Sequence, residues 1–153
     1  MNSCAPVPPR AESAPIEQAV TNVAERSFFA FAEAADPSAA AALAAPGAPA
    51  LTSVVRFTGP SRGEMRVTMP VTLARELAQQ FSGDPTLEFS EADLIDMAGE
   101  FANMVTGAWL TATDAASTFD LTAPAVTRDS AAPPVALMMQ INGQPVGLSW
   151  RVE

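Results

Sequence analysis

Glu100 and Asn103 stand three residues apart in "DMAGEFANMVTG" (96–107), and both carry groups that polar chemistry can use. The acid offers a negative charge. The amide donates and accepts hydrogen bonds without titrating. Little else in the chain competes with them. There is no His, no Tyr and no Lys, which excludes Ser-His-Asp and Cys-His arrangements, Schiff-base lysines and the P-loop lysine. The lone Cys4 makes neither an internal disulfide nor a zinc cluster. No nucleophile–base pair or metal-ligand cluster is visible, so no metal is expected on the chain and a small-molecule hydrolase is disfavoured. An enzyme with this inventory works with carboxylates and amides, or borrows groups from a partner.

The element that must position the pair is a helix. Ser90 is a suitable cap, with Asp93 three residues later in a box-like arrangement, and the helix is expected to run to about Thr113. At about 100° per residue, Met104, Met97, Phe101, Leu94, Val105, Ala98, Trp109 and their apolar neighbours share one broad face. The opposite arc holds Asp93, Asp96, Gly99, Glu100, Asn103 and Gly107, with Ala92 and Leu110 at its ends. Gly99, Asn103 and Gly107 form a column at i, i+4 and i+8. Each glycine costs roughly 1 kcal/mol against Ala in a helix interior. A solvated face gains nothing from that cost. Close approach of another protein to the amide would explain it, and so would packing against a neighbouring loop, which Leu110 on the same arc favours.

The 153 residues suit one domain with a real core. Eight basic residues against 17 acids leave a net charge of −9, and none of the basic residues lies between Arg75 and Arg128. Such a surface argues against nucleic acid and against acidic membranes as partners, although solubility alone also accounts for it. No apolar run is long enough to span a membrane and no signal-peptide core is evident, so the cytoplasm is the default compartment.

Residues 1–14 read as a loose Pro/Ala-rich tail, and 15–153 as a single domain. A first helix is expected from Pro15, with Ile16, Val20, Val23, Ser27 and Phe31 as its stripe and Phe28 beside it, ending near Asp36-Pro37. An Ala/Pro-rich connector fills about 37–50. Two strands, 51–59 and 64–69, form a hairpin. A helix follows, closed by Gly83, with Leu73, Leu77 and Phe81 buried. After the long helix, 119–128 reads as a strand that Pro124 weakens or places at an edge. "PVALMMQI" and "PVGLSWRV" flank Asn142-Gly143, a strong hairpin signal. The order implies an α+β domain with a largely antiparallel sheet and helices packed on one face.

"GEFANMVTG" also resembles the E-x-x-N signature of the CheC/CheX/FliY phosphatases of bacterial chemotaxis. "VVRFTGPSRGEMRVTMPVTLARELAQQFSG" is similar to the hairpin and helix that precede the signature in CheX-like domains, and "MMQINGQPVGLSW" fits the closing hairpin. The likeness covers 51–152, and a single E-x-x-N favours CheX over the doubled CheC or FliY arrangement. It departs at "GAWL", where relatives often carry polar or basic residues. The resemblance implies hydrolysis of the aspartyl phosphate of a CheY-type response regulator, with Glu100 pairing a regulator lysine and Asn103 orienting the attacking water. Asp96, Gly99 and Gly107 would then face the partner. No cofactor of its own is implied, Mg²⁺ being held by the regulator, and a homodimer is suggested. The alternative is a non-catalytic module that docks a receiver domain or flagellar switch component.

Overall fold

Alternating side chains over Leu51–Phe57 and Met65–Met69 send one row of each strand into a common core. The computed structural model describes residues 10–43, 47, 49–128 and 135–153. It contains four α-helices, α1 (Arg10–Phe28), α2 (Ala40–Leu43), α3 (Val71–Ser82) and α4 (Glu91–Thr113). The seven strands are β1 (Ala32–Ala34), β2 (Ala50–Thr58), β3 (Gly63–Pro70), β4 (Asp120–Leu121), β5 (Ala125–Arg128), β6 (Leu137–Ile141) and β7 (Gln144–Val152). They form one antiparallel sheet in the order β1-β6-β7-β3-β2-β4, with β5 also on β2. The expected α+β architecture is therefore present.

The helices α1, α3 and α4 share one core with the inward row of the sheet. Ile16, Phe28, Leu77, Phe101, Met65, Val55 and Leu148 are all buried in it. Phe28 lies 5.8 Å from Phe101, and Phe57 meets Trp109 edge-on at 5.6 Å. Both expected hairpins form. Asn142 and Gly143 take φ of 50° and 80°, the left-handed pair that a two-residue turn needs.

Several expectations at the N-terminal end are corrected. The first helix begins at Arg10, so 10–14 belong to α1 and Pro15 lies inside it; residues 1–9 of the expected tail lie outside the described residues. The helix stops at Phe28, well before Asp36. Phe29 takes a left-handed φ of 52°, and the Ala30 N–H donates to the Ala24 carbonyl at 2.9 Å. Phe31 is consequently exposed, and 32–34 form an edge strand on β6. Phe81 is also exposed, with one side of its ring against Phe28. The expected connector carries α2, whose Leu43 is buried against Gly147. Gly147 alternates with Val146 and Leu148, so this short turn covers part of the sheet face away from the other helices.

Candidate functional site

The long helix forms as its first turn dictates. Ser90 Oγ accepts from the Asp93 N–H at 3.2 Å, and the Ser90 N–H donates to Asp93 Oδ2 at 2.9 Å. This reciprocal cap satisfies two otherwise unpaired amides and places acids where the helix dipole favours them. Leu94, Ala98, Phe101, Ala102, Val105 and Trp109 are buried, so the apolar face is inward as the spacing requires. Glu100 and Asp96 are exposed on the opposite side. Asn103 is half-buried one turn beyond Glu100.

The glycine column has another neighbour. The segment 120–128 folds back along the edge of β2 and lies against it. Leu121 pairs with Phe57, Val126 with Ser53 and Ala125 with Val54. Thr122 joins the two short strands to β2 by accepting from the Arg56 N–H at 3.0 Å and donating its own N–H to the Arg56 carbonyl at 2.9 Å. Pro124, which has no N–H to give a ladder, falls between them.

This edge meets α4 at Gly99. A Cβ there would lie 3.1 Å from Pro124 Cβ and Cγ and 3.2 Å from Val126 Cγ2. Gly99 is buried, and its missing side chain makes room for Pro124 and Val126 of the same chain, the loop-packing alternative for this glycine. Leu110 is buried as well. Gly107 differs, since a Cβ there would meet only Leu121 Cδ1, at 3.9 Å. That position still has room beside Asn103.

Two clefts flank the exposed carboxylates. One of about 400 Å³ lies between α4 and the 123–126 edge, lined by Ile95, Asp96, Gly99, Glu100, Pro124 and Val126 among others. The other, about 540 Å³, lies between α4 and the α3–α4 loop, and includes Leu87, Phe89, Met97, Asp96 and Glu100. Asp96 and Glu100 thus stand on a ridge between the two. The sequence reading missed Leu87, Phe89, Pro124 and Val126 as neighbours of the pair. The only available hint was the apolar–acid–apolar run Leu87-Glu88-Phe89 in an otherwise polar loop.

Charge is segregated across the sheet. Arg56 and Arg151 flank Glu64 in register on the face away from α4, with Arg66 beside them and Arg62 on Glu153. Arg128 is held by Glu91. Among the described residues, Asp96 and Glu100 have no ion pair, so their charges are free to meet a partner's cation. Asn103 Oδ1 is buried and has no hydrogen-bond partner among the described residues. Leaving an amide oxygen so costs about 1–3 kcal/mol, which a partnered state would relieve. Among the described residues no group of three or more Cys, Asp or Glu is arranged to hold a metal ion, and no helix is long and apolar enough to cross a membrane.

An α+β domain with helices packed on one face of an antiparallel sheet is a fold this chain shares with CheX proteins of known structure. The family model described as "Chemotaxis phosphatase CheX" matches residues 51–137. The chain belongs to the CheX family. Its fold is similar to that of the chemotaxis protein CheX from Vibrio vulnificus, with a TM-score of 0.66 and 22% identity over 95% of this chain and 99% of that one. CheX from Desulfovibrio desulfuricans aligns with a TM-score of 0.65 and 19% identity over 92% and 98%. CheX from a Borrelia burgdorferi CheX–CheY–BeF3–Mg²⁺ complex aligns with a TM-score of 0.59 and 14% identity over 91% and 96%. A search of curated proteins finds no match.

Proposed function

We propose that this chain hydrolyses the aspartyl phosphate of a CheY-type response regulator, with Glu100 and Asn103 as the working pair. The observation that carries the reading is the pair itself: an unpaired, exposed carboxylate and an amide with an unsatisfied oxygen, one turn apart on α4 of a CheX-family chain. The solved complex of a CheX relative with CheY, beryllofluoride and Mg²⁺ supports the choice of partner.

The division of labour follows from what each side holds. An acyl phosphate is already activated, so hydrolysis requires an in-line water and compensation of phosphoryl charge. The regulator supplies the phosphoryl group, the Mg²⁺ and a lysine. Glu100 pairs with that lysine, a charge-assisted contact that fixes register across the interface. Asn103 turns outward from its half-buried position to enter the regulator's site, where its Oδ1 accepts from the attacking water and holds it in line. The amide does not titrate, so the arrangement needs no general base of its own. Asp96 adds negative potential beside Glu100, and Gly107 leaves space at the rim. The chain carries no cofactor in this scheme, works in the cytoplasm and forms a homodimer, which sedimentation tests.

The half-burial of Asn103 favours one competitor, a module that docks a receiver without catalysis. Phosphate release from a panel of phosphorylated receiver domains encoded in the same genome decides between them. Loss of the aspartyl phosphate faster than the receiver's own rate, abolished by Asn103→Ala, is the expected result. Tight binding with no acceleration on any receiver leaves the docking module.

A further inference from the structure

We infer that the cleft between the α3–α4 loop and α4 is a second anchoring point for the receiver, taking an apolar side chain that a Lys or Arg flanks on the partner's surface. The inference rests on the reading of α4 as the receiver-engaging helix.

The floor of the cleft is apolar. Phe89 and Met97 are half-buried against the core, and Leu87 is 46% exposed at the lip. The loop that presents Leu87 is tied at both ends. Asp84 Oδ1 accepts from the Thr86 N–H at 2.9 Å and from its hydroxyl at 2.6 Å, and the Ser90–Asp93 cap closes the other end. Leu87 is therefore held out by local hydrogen bonds, which makes an apolar site in water that a partner's side chain can cover.

The rim selects the sign of the partner. Glu88, Asp96 and Glu100 line it and have no ion pair among the described residues. Arg128, the first basic residue after Arg75, is held by Glu91. A cation beside the entering apolar group gains from this potential, and an acidic surface is repelled. A second copy presenting this same acidic face to the cleft is disfavoured for the same reason. Asp96 and Asn103 are separated by about 10 Å along the helix axis. A contact of ordinary size, roughly 800 Å² per partner, covers the cleft and the amide together.

The test uses Leu87→Gln and Glu88→Gln in the full chain, with thermal unfolding to verify the fold. Turnover is measured on the phosphorylated receiver that the wild type processes best, and Kd on that receiver loaded with Mg²⁺ and beryllofluoride. Each variant is expected to raise KM and Kd about five- to tenfold while kcat stays within about twofold. The Glu88→Gln effect should shrink between about 50 and 300 mM salt, and the Leu87→Gln effect should persist. An active wild type whose KM and Kd do not change in either variant overturns the anchoring point and leaves the phosphatase reading standing. A wild type that neither binds nor dephosphorylates any receiver overturns both. A Leu87→Gln variant that alters self-association while receiver affinity is unchanged assigns the cleft to a second copy and overturns the inference.

Discussion

Alanine at Gly99 and at Gly107 should have opposite consequences, although both glycines lie on one column of one helix. In a helix interior, Gly→Ala gains about 1 kcal/mol from propensity and the smaller entropy of the unfolded chain. At Gly107 the new methyl meets only Leu121 Cδ1, at the ordinary contact distance of 3.9 Å. The gain should be realised in full, as a rise in Tm of about 2–4 °C for a chain of this size. At Gly99 the methyl would stand 3.1 Å from two carbons of Pro124 and 3.2 Å from Val126 Cγ2. Pro124 is fixed by its ring, and Val126 by its pairing opposite Ser53, so the edge must shift outward. Overpacking of this kind costs about 1–3 kcal/mol. The net expectation for Gly99→Ala is a loss of about 0–2 kcal/mol, with Tm unchanged or lowered by up to about 8 °C. Urea unfolding with matched m-values checks the stabilities. Val126→Ala in the Gly99→Ala background removes one of the clashing carbons and should recover about 0.5–1 kcal/mol as a coupling term. If Gly99→Ala stabilises the protein as much as Gly107→Ala does, the 120–128 edge does not press on α4, and the explanation of Gly99 fails.

Other expectations concern the site. Asn103→Ala should lower turnover by at least about 100-fold and leave Tm unchanged or slightly raised, because it removes an amide that has no partner for its oxygen; unchanged turnover per folded molecule would take Asn103 out of the chemistry. Glu100→Gln should raise the Kd for a beryllofluoride-loaded receiver about tenfold, about 1.4 kcal/mol, with a weaker salt dependence than the wild type; equal affinities at low salt would remove the proposed lysine contact. Gly107→Leu should fold and yet lose turnover by crowding Asn103, and a fully active variant would show that the partner does not approach there. The Thr86 hydroxyl and N–H hold the Asp84 carboxyl below the usual carboxylate range. A depressed value means that the contribution is present above that range and is lost as pH falls through the folded value. Protection of the 84–89 amides, taken relative to their intrinsic exchange rates at each pH, should therefore be steady at neutral and mildly acidic pH and fall only once the pH drops below the usual carboxylate range. Thr86→Val should abolish that dependence, and an unaltered profile in the variant would assign it to another group.

Much of this protein is local in origin and so was legible in the order of its residues. The Ser90–Asp93 cap, the Asn142-Gly143 turn, the alternation in β2, β3 and β7 and the apolar face of α4 each rest on groups a few residues apart. Pro124 marked 119–128 as interrupted, edge-like strand for the equally local reason that it lacks an N–H. The placing of Glu100 and Asp96 on the exposed side of α4 needed only the 3.6-residue period. What tertiary structure alone decided lies in contacts between segments distant in sequence. The end of α1 at a left-handed Phe29 has no glycine to announce it, and the edge strand that follows depends on pairing with β6. Gly99 and Gly107 fall about 80° apart on the same polar arc of a helical wheel, and a wheel knows the angle of a residue and nothing of its neighbours. Only the return of 120–128 along β2 sets Pro124 and Val126 against one glycine and leaves the other open. That same return gives the working face of α4 its shape, with Asn103 half-covered and Glu100 on a ridge between two clefts.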